Sequence, residues 1–324
     1  MYENITKKLF EVETVAIFMH INPDGDCIGS SLAMYKYLKN LGKTAHVFLE
    51  EGYEIRDNLM FLPNIEVINA YSLKKYDLGI ALDCGAASRM GNNCFKRFIA
   101  CDDYCCFDHH AQSTQFVDDL ILEPKSASTT QILYKFFVEH DKSAIDLDIA
   151  TCLFAGLMTD SGNLSFSSTT EESYRVATEL VAMGVDNYDI IRRLFKNTKH
   201  SVFDLTNRVL SNAKFYLDGR VGIISFLEED FRVTGTSSPD TEGIINRVVD
   251  INEVKLAISI AELTPTAYKI GFRSKDGVNC SLAAAEFGGG GHVNASGCRI
   301  YADYETTVKE LIKAAKKIMD GEDD

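Results

Sequence analysis

Through the first half of the chain, short apolar runs rich in β-branched and aromatic residues alternate with segments that carry a helical repeat. The runs at 14–20, 44–49, 65–69, 78–83 and 104–108 have strand length, and helix-forming stretches separate them. This alternation restricts the fold to an α/β domain with a mainly parallel sheet flanked by helices, because parallel neighbours need a crossover and a helix is the usual one. The clearest helix covers 28–41, where Leu32, Tyr35, Leu38 and Leu41 share a side and Gly42 stands where a helix stops. Further helical patterns cover 128–140, 146–158 and 170–183, the last opening on Thr170 and closing at Gly184.

A length of 324 residues suits two domains. Residues 1–186 form the first, and 187–216 keep a helical pattern with few breakers and read as a helical linker. Residues 217–324 change order and read as a smaller α+β domain: a strand at 221–226, a helix at 240–251, strands at 254–263 and 267–273, a glycine run, a strand at 298–302 and a helix at 305–319. The acidic end at 321–324 reads as a solvated terminus.

The N-terminal segment lacks a secretory pattern, and no apolar run approaches the roughly 18 residues of a membrane span. Nine cysteines without a CxxC pair indicate neither a disulfide framework nor a zinc ribbon, and read as small buried hydrophobes in a reducing compartment. A cytoplasmic protein without membrane contact is the expectation. Lysine and arginine total 33 against 47 acidic residues, and the net charge of −14 opposes a grip on long duplex nucleic acid. An anionic substrate then requires a local reversal of the field, such as bound divalent cations would provide.

Ligands of parallel sheets gather beyond the carboxyl ends of the strands, and here those positions are rich in metal-ligand types. The first strand leads into His20-Ile21-Asn22-Pro23-Asp24-Gly25-Asp26, with Gly29 and Ser30 following. The run at 78–82 ends in Asp83, and that at 104–107 ends in Asp108-His109-His110. Asp160 follows an apolar helix, where an acid needs a partner. Four of these aspartates with two of the histidines are a set suited to two divalent ions.

In this order, His20-x-Asn22-Pro23-Asp24-Gly25-Asp26-x-x-Gly29-Ser30, Asp83, Asp108-His109-His110 and Asp160 resemble the four motifs of the DHH phosphoesterases. Gly288-Gly289-Gly290-Gly291-His292 and Asn294-Ala295-Ser296-Gly297 are similar to the signature of the DHH-associated domain in the nanoRNase and pAp phosphatase branch. The resemblance implies that His20, Asp24 and Asp83 hold one ion and Asp26, Asp83, His109 and Asp160 the other, with Asp83 shared. It further implies that Asp108 orients His109 or holds the strand end, and that His110 faces the substrate phosphate. Mixed imidazole and carboxylate ligation suits Mn2+, with Co2+ or Mg2+ as lesser alternatives. Four carboxylates and two divalent ions leave a near-neutral cleft, which answers the objection raised by the overall charge.

Two ions about 3.5–4 Å apart can lower the pKa of a bridging water and present hydroxide in line with phosphorus. The second domain, by resemblance, contributes Arg273, Ser274, the glycines 288–291, His292 and Asn294 to substrate binding, facing the metals across a cleft. The implied activity is hydrolysis of short oligoribonucleotides (nanoRNA) or linear dinucleotides such as pApA and pGpG to mononucleotides, and of pAp to AMP. A homodimer is also implied. Inorganic pyrophosphatase or polyphosphatase activity and non-catalytic nucleotide binding are the competing readings. One departure stands out: Ser161-Gly162-Asn163-Leu164-Ser165-Phe166 replaces the family's Thr-Gly-x-aromatic-basic-aromatic run, which bears on preference among these substrates.

Overall fold

Strands that are apolar along almost their whole length need cover on both faces, and the first half of the chain supplies it. The computed structural model describes residues 2–320 and divides into two compact units, Met1–Asn197 and Thr198–Asp324. In the first, β1 (Thr14–Phe18), β2 (Thr44–Phe48), β3 (Leu78–Leu82), β4 (Asp103–Asp108) and β5 (Asp119–Leu122) form one sheet of order β2-β1-β3-β4-β5. Every pairing is parallel, as the alternation predicts. Its helices are α1 (Glu3–Glu11), α2 (Gly25–Asn40), α3 (Asn92–Phe98), α4 (Thr129–Asp141), α5 (Leu147–Asp160), α6 (Glu171–Ala182) and α7 (Asn187–Phe195).

Alternation along the strands sorts side chains to two cores. Val15, Ile17, Ile80 and Leu82 meet Leu32 of α2, Ile132 of α4 and Leu153 of α5. Ala16, Phe18, Phe48 and Ala81 meet Phe98 of α3 on the other face, where Phe18 stacks on Phe48 at 5.1 Å. The strand order reverses between β1 and β3, so the crevice where such sheets take ligands lies beyond the carboxyl ends of those two strands.

The second unit contains α8 (His200–Ser211), β6 (Lys214–Tyr216), β7 (Val221–Phe226), α9 (Glu228–Thr234), α10 (Asn246–Val249), β8 (Leu256–Thr264), β9 (Ala267–Ser274), α11 (Cys280–Ala285), β10 (Gly290–His292), β11 (Ala295–Ile300) and α12 (Tyr304–Asp320). Its six-stranded mixed sheet has the order β10-β11-β9-β8-β7-β6, with only β7 and β8 parallel. All nine cysteines are buried and unpaired. Among the described residues, no helix is long and apolar enough to cross a membrane.

Several elements differ from the sequence reading. The run 65–69 is a 3-10 turn over Ile65–Val67, because Asn64 and Asn69 adopt left-handed backbones (φ 64° and 61°) and only Ile68 bridges to Val47. The helix expected at 240–251 is broken at Gly243 (φ 76°), leaving the 3-10 turn Ser238–Thr241 and α10. The segment 187–216 is not one connector: α7 packs on α5 in the first unit, whereas α8 and β6 pack on β7 in the second. β5, α1, α3, α9 and α11 are further elements that the sequence reading does not contain. The acidic end at 321–324 lies outside the described residues.

In the first unit α2 packs on α5 through facing glycines. A Cβ on Gly29 would stand 2.5 Å from the Cys152 carbonyl oxygen, and one on Gly156 would stand 2.5 Å from Thr130 Cγ2 and 3.0 Å from Asp26 Oδ1. Gly29→Ala should therefore destabilise the protein by about 1–3 kcal/mol through overpacking. Urea unfolding should show a lower midpoint at unchanged slope; a midpoint equal to that of the parent chain would contradict this packing.

Candidate metal centre

Each carboxylate or imidazole of the centre stands at an element end. β1 gives way to His20, and the turn through Asn22 (φ 53°) and Pro23 delivers Asp24 to the start of α2. Asp24 Oδ1 accepts from the Asp26 N–H (3.1 Å) and the Cys27 N–H (3.0 Å), an N-cap that fixes the loop. Asp26, in the first turn, is fully buried. Asp83 follows β3 with a left-handed backbone (φ 60°) while its N–H still bonds to Phe107 O at 3.0 Å. A non-glycine residue in that region is uncommon, and such residues cluster at functional sites. Asp108 ends β4 just before His109 and His110, and Asp160 ends α5, where the helix dipole disfavours its charge.

These side chains converge. His20 Nε2 lies 3.3 Å from Asp83 Oδ2 and 3.9 Å from Asp24 Oδ1. His109 Nε2 lies 3.1 Å from Asp160 Oδ2, 3.6 Å from Asp83 Oδ1 and 4.0 Å from Asp26 Oδ2. Asp83 thus stands between the two imidazoles, one oxygen toward each. His20 Nδ1 is 2.7 Å from Ile21 O and His109 Nδ1 is 3.3 Å from Ser126 O; with the hydrogen of a neutral ring on Nδ1, each Nε2 keeps a lone pair.

Both Nε2 atoms are buried without a hydrogen-bond partner among the described residues. A nitrogen lone pair held against carboxylate oxygens is repulsive unless a proton or a metal cation lies between them. The donor atoms of Asp26, His109 and Asp160, of Asp83, His109 and His110, and of His20, Cys27 and Asp83 each lie within 4.8 Å of one another. Imidazole and carboxylate donors gathered in this way fit divalent cations.

The electrostatics express the same demand for positive charge. Burial, then the charge of Asp83, pushes Asp26 up to about 7. Burial and Asp26 push Asp160 well above the ordinary carboxylate range. Burial also works against a charged ring at His20, but the Cys27 sulfur and the Asp83 carboxylate overcome it and raise His20 to about 12. At His109, burial is overcome by Asp160 and Asp83, which raise the ring to about 10. Asp83, despite its burial, is held below the usual range by His20, His109 and His110.

Three features were not read from the sequence. The Thr129 N–H (2.6 Å) and Thr130 N–H (2.9 Å), at the start of α4, bond to the two oxygens of Asp26, and the Thr130 hydroxyl adds a third bond at 2.7 Å. The Thr129 hydroxyl donates to Asp83 Oδ1 at 3.0 Å, so one helix N-terminus holds both carboxylates. The signal available was the polar run Ser128-Thr129-Thr130-Gln131, which reads as an ordinary cap, and Ser128 does accept from the Gln131 N–H. Arg89 accepts from the Ile21 N–H (2.7 Å) and sets its Nη2 3.2 Å from His20 Nδ1. Cys27, an unremarked residue of the first motif, places its sulfur 3.4 Å from the His20 N atom.

Asp108 departs from its expected partner. Its carboxylate meets His110 Nδ1 (2.7 Å) and the Ser113 hydroxyl, so it orients His110 and not His109, whose Nδ1 faces a backbone carbonyl. After Asp160 the chain turns through left-handed Gly162, Asn163 and Leu164, and Phe166 folds back over Gly162.

The residues expected to bind substrate lie around β9, β10 and β11 of the second unit. Arg273 pairs in register with Ala295, and its Nη1 donates to Phe272 O at 3.0 Å. The Ser274 hydroxyl meets Val278 O (2.6 Å) and Val293 O (3.1 Å). The glycine run is an edge strand. A Cβ on Gly289 would stand 2.2 Å from Gly297 O and one on Gly291 (φ 145°) 2.5 Å from Ala295 O. Gly288 (φ 70°) makes the turn into it, and Gly290 has open space beside it. His292 ends this strand exposed, and Asn294, also exposed, accepts the Ser274 N–H on its carbonyl at 3.1 Å.

A parallel α/β unit with aspartates and histidines at its switch point, followed by a mixed-sheet unit, defines a class that comparison with known proteins makes specific. The chain belongs to the DHH family: the model of the DHH family N-terminal domain matches residues 14–157 and that of the DHHA1 domain matches residues 224–321. It is 32% identical over 316 residues to the bifunctional oligoribonuclease and PAP phosphatase NrnA of Thermus thermophilus, covering 94% of this chain and 89% of that protein. The NrnA of Bacillus subtilis is 24% identical, with 92% of this chain and 96% of the relative covered. Among solved structures, an exopolyphosphatase-related protein from Bacteroides fragilis superposes with a TM-score of 0.91 at 30% identity, over 97% of this chain and 95% of that one.

Removing the Thr129 hydroxyl while keeping its N–H tests how α4 supports the centre. Thr129→Val should weaken divalent-cation binding about 10–100-fold, the usual cost of losing a group that orients a ligand. Calorimetric titration measures this, and an unchanged affinity would show that the Asp83 contact is dispensable.

Proposed function

We propose that this protein is a divalent-metal-dependent phosphohydrolase that cleaves short oligoribonucleotides and linear dinucleotides to mononucleotides and removes the 3′-phosphate of pAp. The observation that carries the reading is the pair of buried imidazole Nε2 atoms facing the oxygens of Asp83, with Asp24, Asp26 and Asp160 around them. The names of the NrnA relatives support the substrate class.

In this reading His20, Asp24 and Asp83 hold one cation and Asp26, Asp83, His109 and Asp160 the other, with Mn2+ the best match to the donor set. When bound, the cations supply Lewis-acid polarisation of a phosphoryl oxygen and water that ionises near neutral pH. The chain's residues do the rest. Thr129 and Thr130 lock the carboxylates so that little reorganisation accompanies the reaction. Asp108, by accepting from His110 Nδ1, orients that ring, and His110 faces the substrate phosphate in this reading. In this reading Arg273, the backbone N–H groups of the glycine strand, His292 and Asn294 bind a short nucleotide, with the arginine fork suited to a terminal phosphate.

The test is a panel of pAp, pApA, pGpG, cyclic dinucleotides, di- to pentanucleotides and pyrophosphate, incubated with the Mn2+-loaded protein. Release of mononucleotides from the short linear substrates and of AMP from pAp is expected. Chelator should abolish turnover and Mn2+ restore it, and Asp83→Ala should reduce it by at least a thousandfold. Turnover of pyrophosphate alone, or activity that survives both chelator and Asp83→Ala, would refute the proposal.

A further inference from the structure

At the opposite ends of β3 and β4 from the carboxylates lies a pocket of about 140 Å³, lined by Lys74, Lys75, Tyr76, Lys96, Arg97, Ala100 and Cys101. Six residues of mostly extended chain separate Tyr76 from Asp83, so the two sites stand on the order of 20 Å apart. Three lysines and an arginine meeting in one concavity is unexpected in a chain of net charge −14. Lys96 and Arg97 close α3, where cations suit a helix C-terminus, but Lys74 and Lys75 arrive from the separate segment that precedes β3. Lys75 pairs with Asp102, whereas Lys74 and Lys96 have no carboxylate partner among the described residues.

Arg97 is held in place. Its guanidinium lies 4.8 Å from the centroid of Tyr71 and 5.7 Å from that of Phe48, and its Nη2 donates to the Tyr71 hydroxyl at 3.1 Å. Tyr71 itself remains part exposed beside it. Pre-set guanidinium and ammonium donors around a small concavity match the oxygens of a phosphate group. The volume is well below the roughly 300 Å³ at which whole-ligand pockets begin, so it admits a head group and leaves the rest of a ligand outside. The neighbouring Asp77, Asp102 and Asp103 interrupt any longer basic track, which favours a small ligand over a nucleic acid strand.

We propose that this pocket binds the phosphate group of a small phosphorylated ligand, at a site separate from the metal centre and independent of the reaction assigned to it. The test is amine acetylation footprinting of the full-length, Mn2+-loaded protein, titrated with inorganic phosphate or with AMP. Saturable protection of Lys74 and Lys96 is expected. Protection by AMP at lower concentration than phosphate identifies a phosphate ester as the ligand class, and equal protection identifies the free anion. Lys96→Glu should shift the midpoint for Lys74 protection at least tenfold, Lys96→Arg should preserve it, and Asp83→Asn should leave it unchanged. Absence of saturable protection, an unshifted midpoint in Lys96→Glu, loss of protection in Asp83→Asn, or protection by single-stranded RNA but by neither small anion would overturn the proposal.

Discussion

The structure of the first unit turns on one electrostatic conflict: aspartates converge in a buried crevice on two imidazole nitrogens whose lone pairs face their oxygens. Left to itself such a cluster gathers protons, which is why Asp26 and Asp160 are raised and both rings favour the charged form. Burying carboxylates is costly unless they are paired and hydrogen-bonded. The fold meets part of that cost through two helix N-termini, α2 carrying Asp26 in its first turn and α4 donating backbone N–H groups to its oxygens. Divalent cations between the donors would remove the remainder.

The sheet topology makes the convergence possible. β1 and β3 are adjacent, and their exits send His20 and Asp83 to the same crevice; β4, next in the sheet, adds His109. Asp160 arrives from α5, and the close glycine contact of α2 with α5 fixes how deeply that helix seats. Gly156 backs directly onto Thr130 and Asp26, so the packing of this helix pair and the position of a candidate ligand are one constraint. The left-handed backbone of Asp83 belongs to the same arrangement, since the strand must turn at once for its carboxylate to lie between two rings.

Much of this was legible in the sequence because chemistry and periodicity coincide there. Strands with dense β-branched runs, such as 78–83, stood out, and the ligand types sat directly after them. The supporting residues were harder to see. Ser128-Thr129-Thr130 reads as a helix cap whether or not its donors reach a carboxylate across the fold, and only tertiary contact separates the two cases. Asp108, expected to orient the adjacent His109 or to hold the strand end, instead meets His110, the ring one residue further on. In the second unit, the glycine run looked like a loop because glycine carries no strand signal; close approach to β11 makes it an edge strand. The short segment at 65–69 failed for the opposite reason, its apolar residues serving a turn bounded by left-handed asparagines.

Electron paramagnetic resonance of the Mn2+-titrated protein tests the central claim most directly, because it reports both the number of ions and whether they share a ligand. Two ions per chain with an exchange-coupled spectrum are expected, and Asp83→Asn should abolish the coupling and release at least one ion. Uncoupled Mn2+ in the parent chain, or a coupled spectrum that survives Asp83→Asn, would contradict the shared carboxylate on which the account depends.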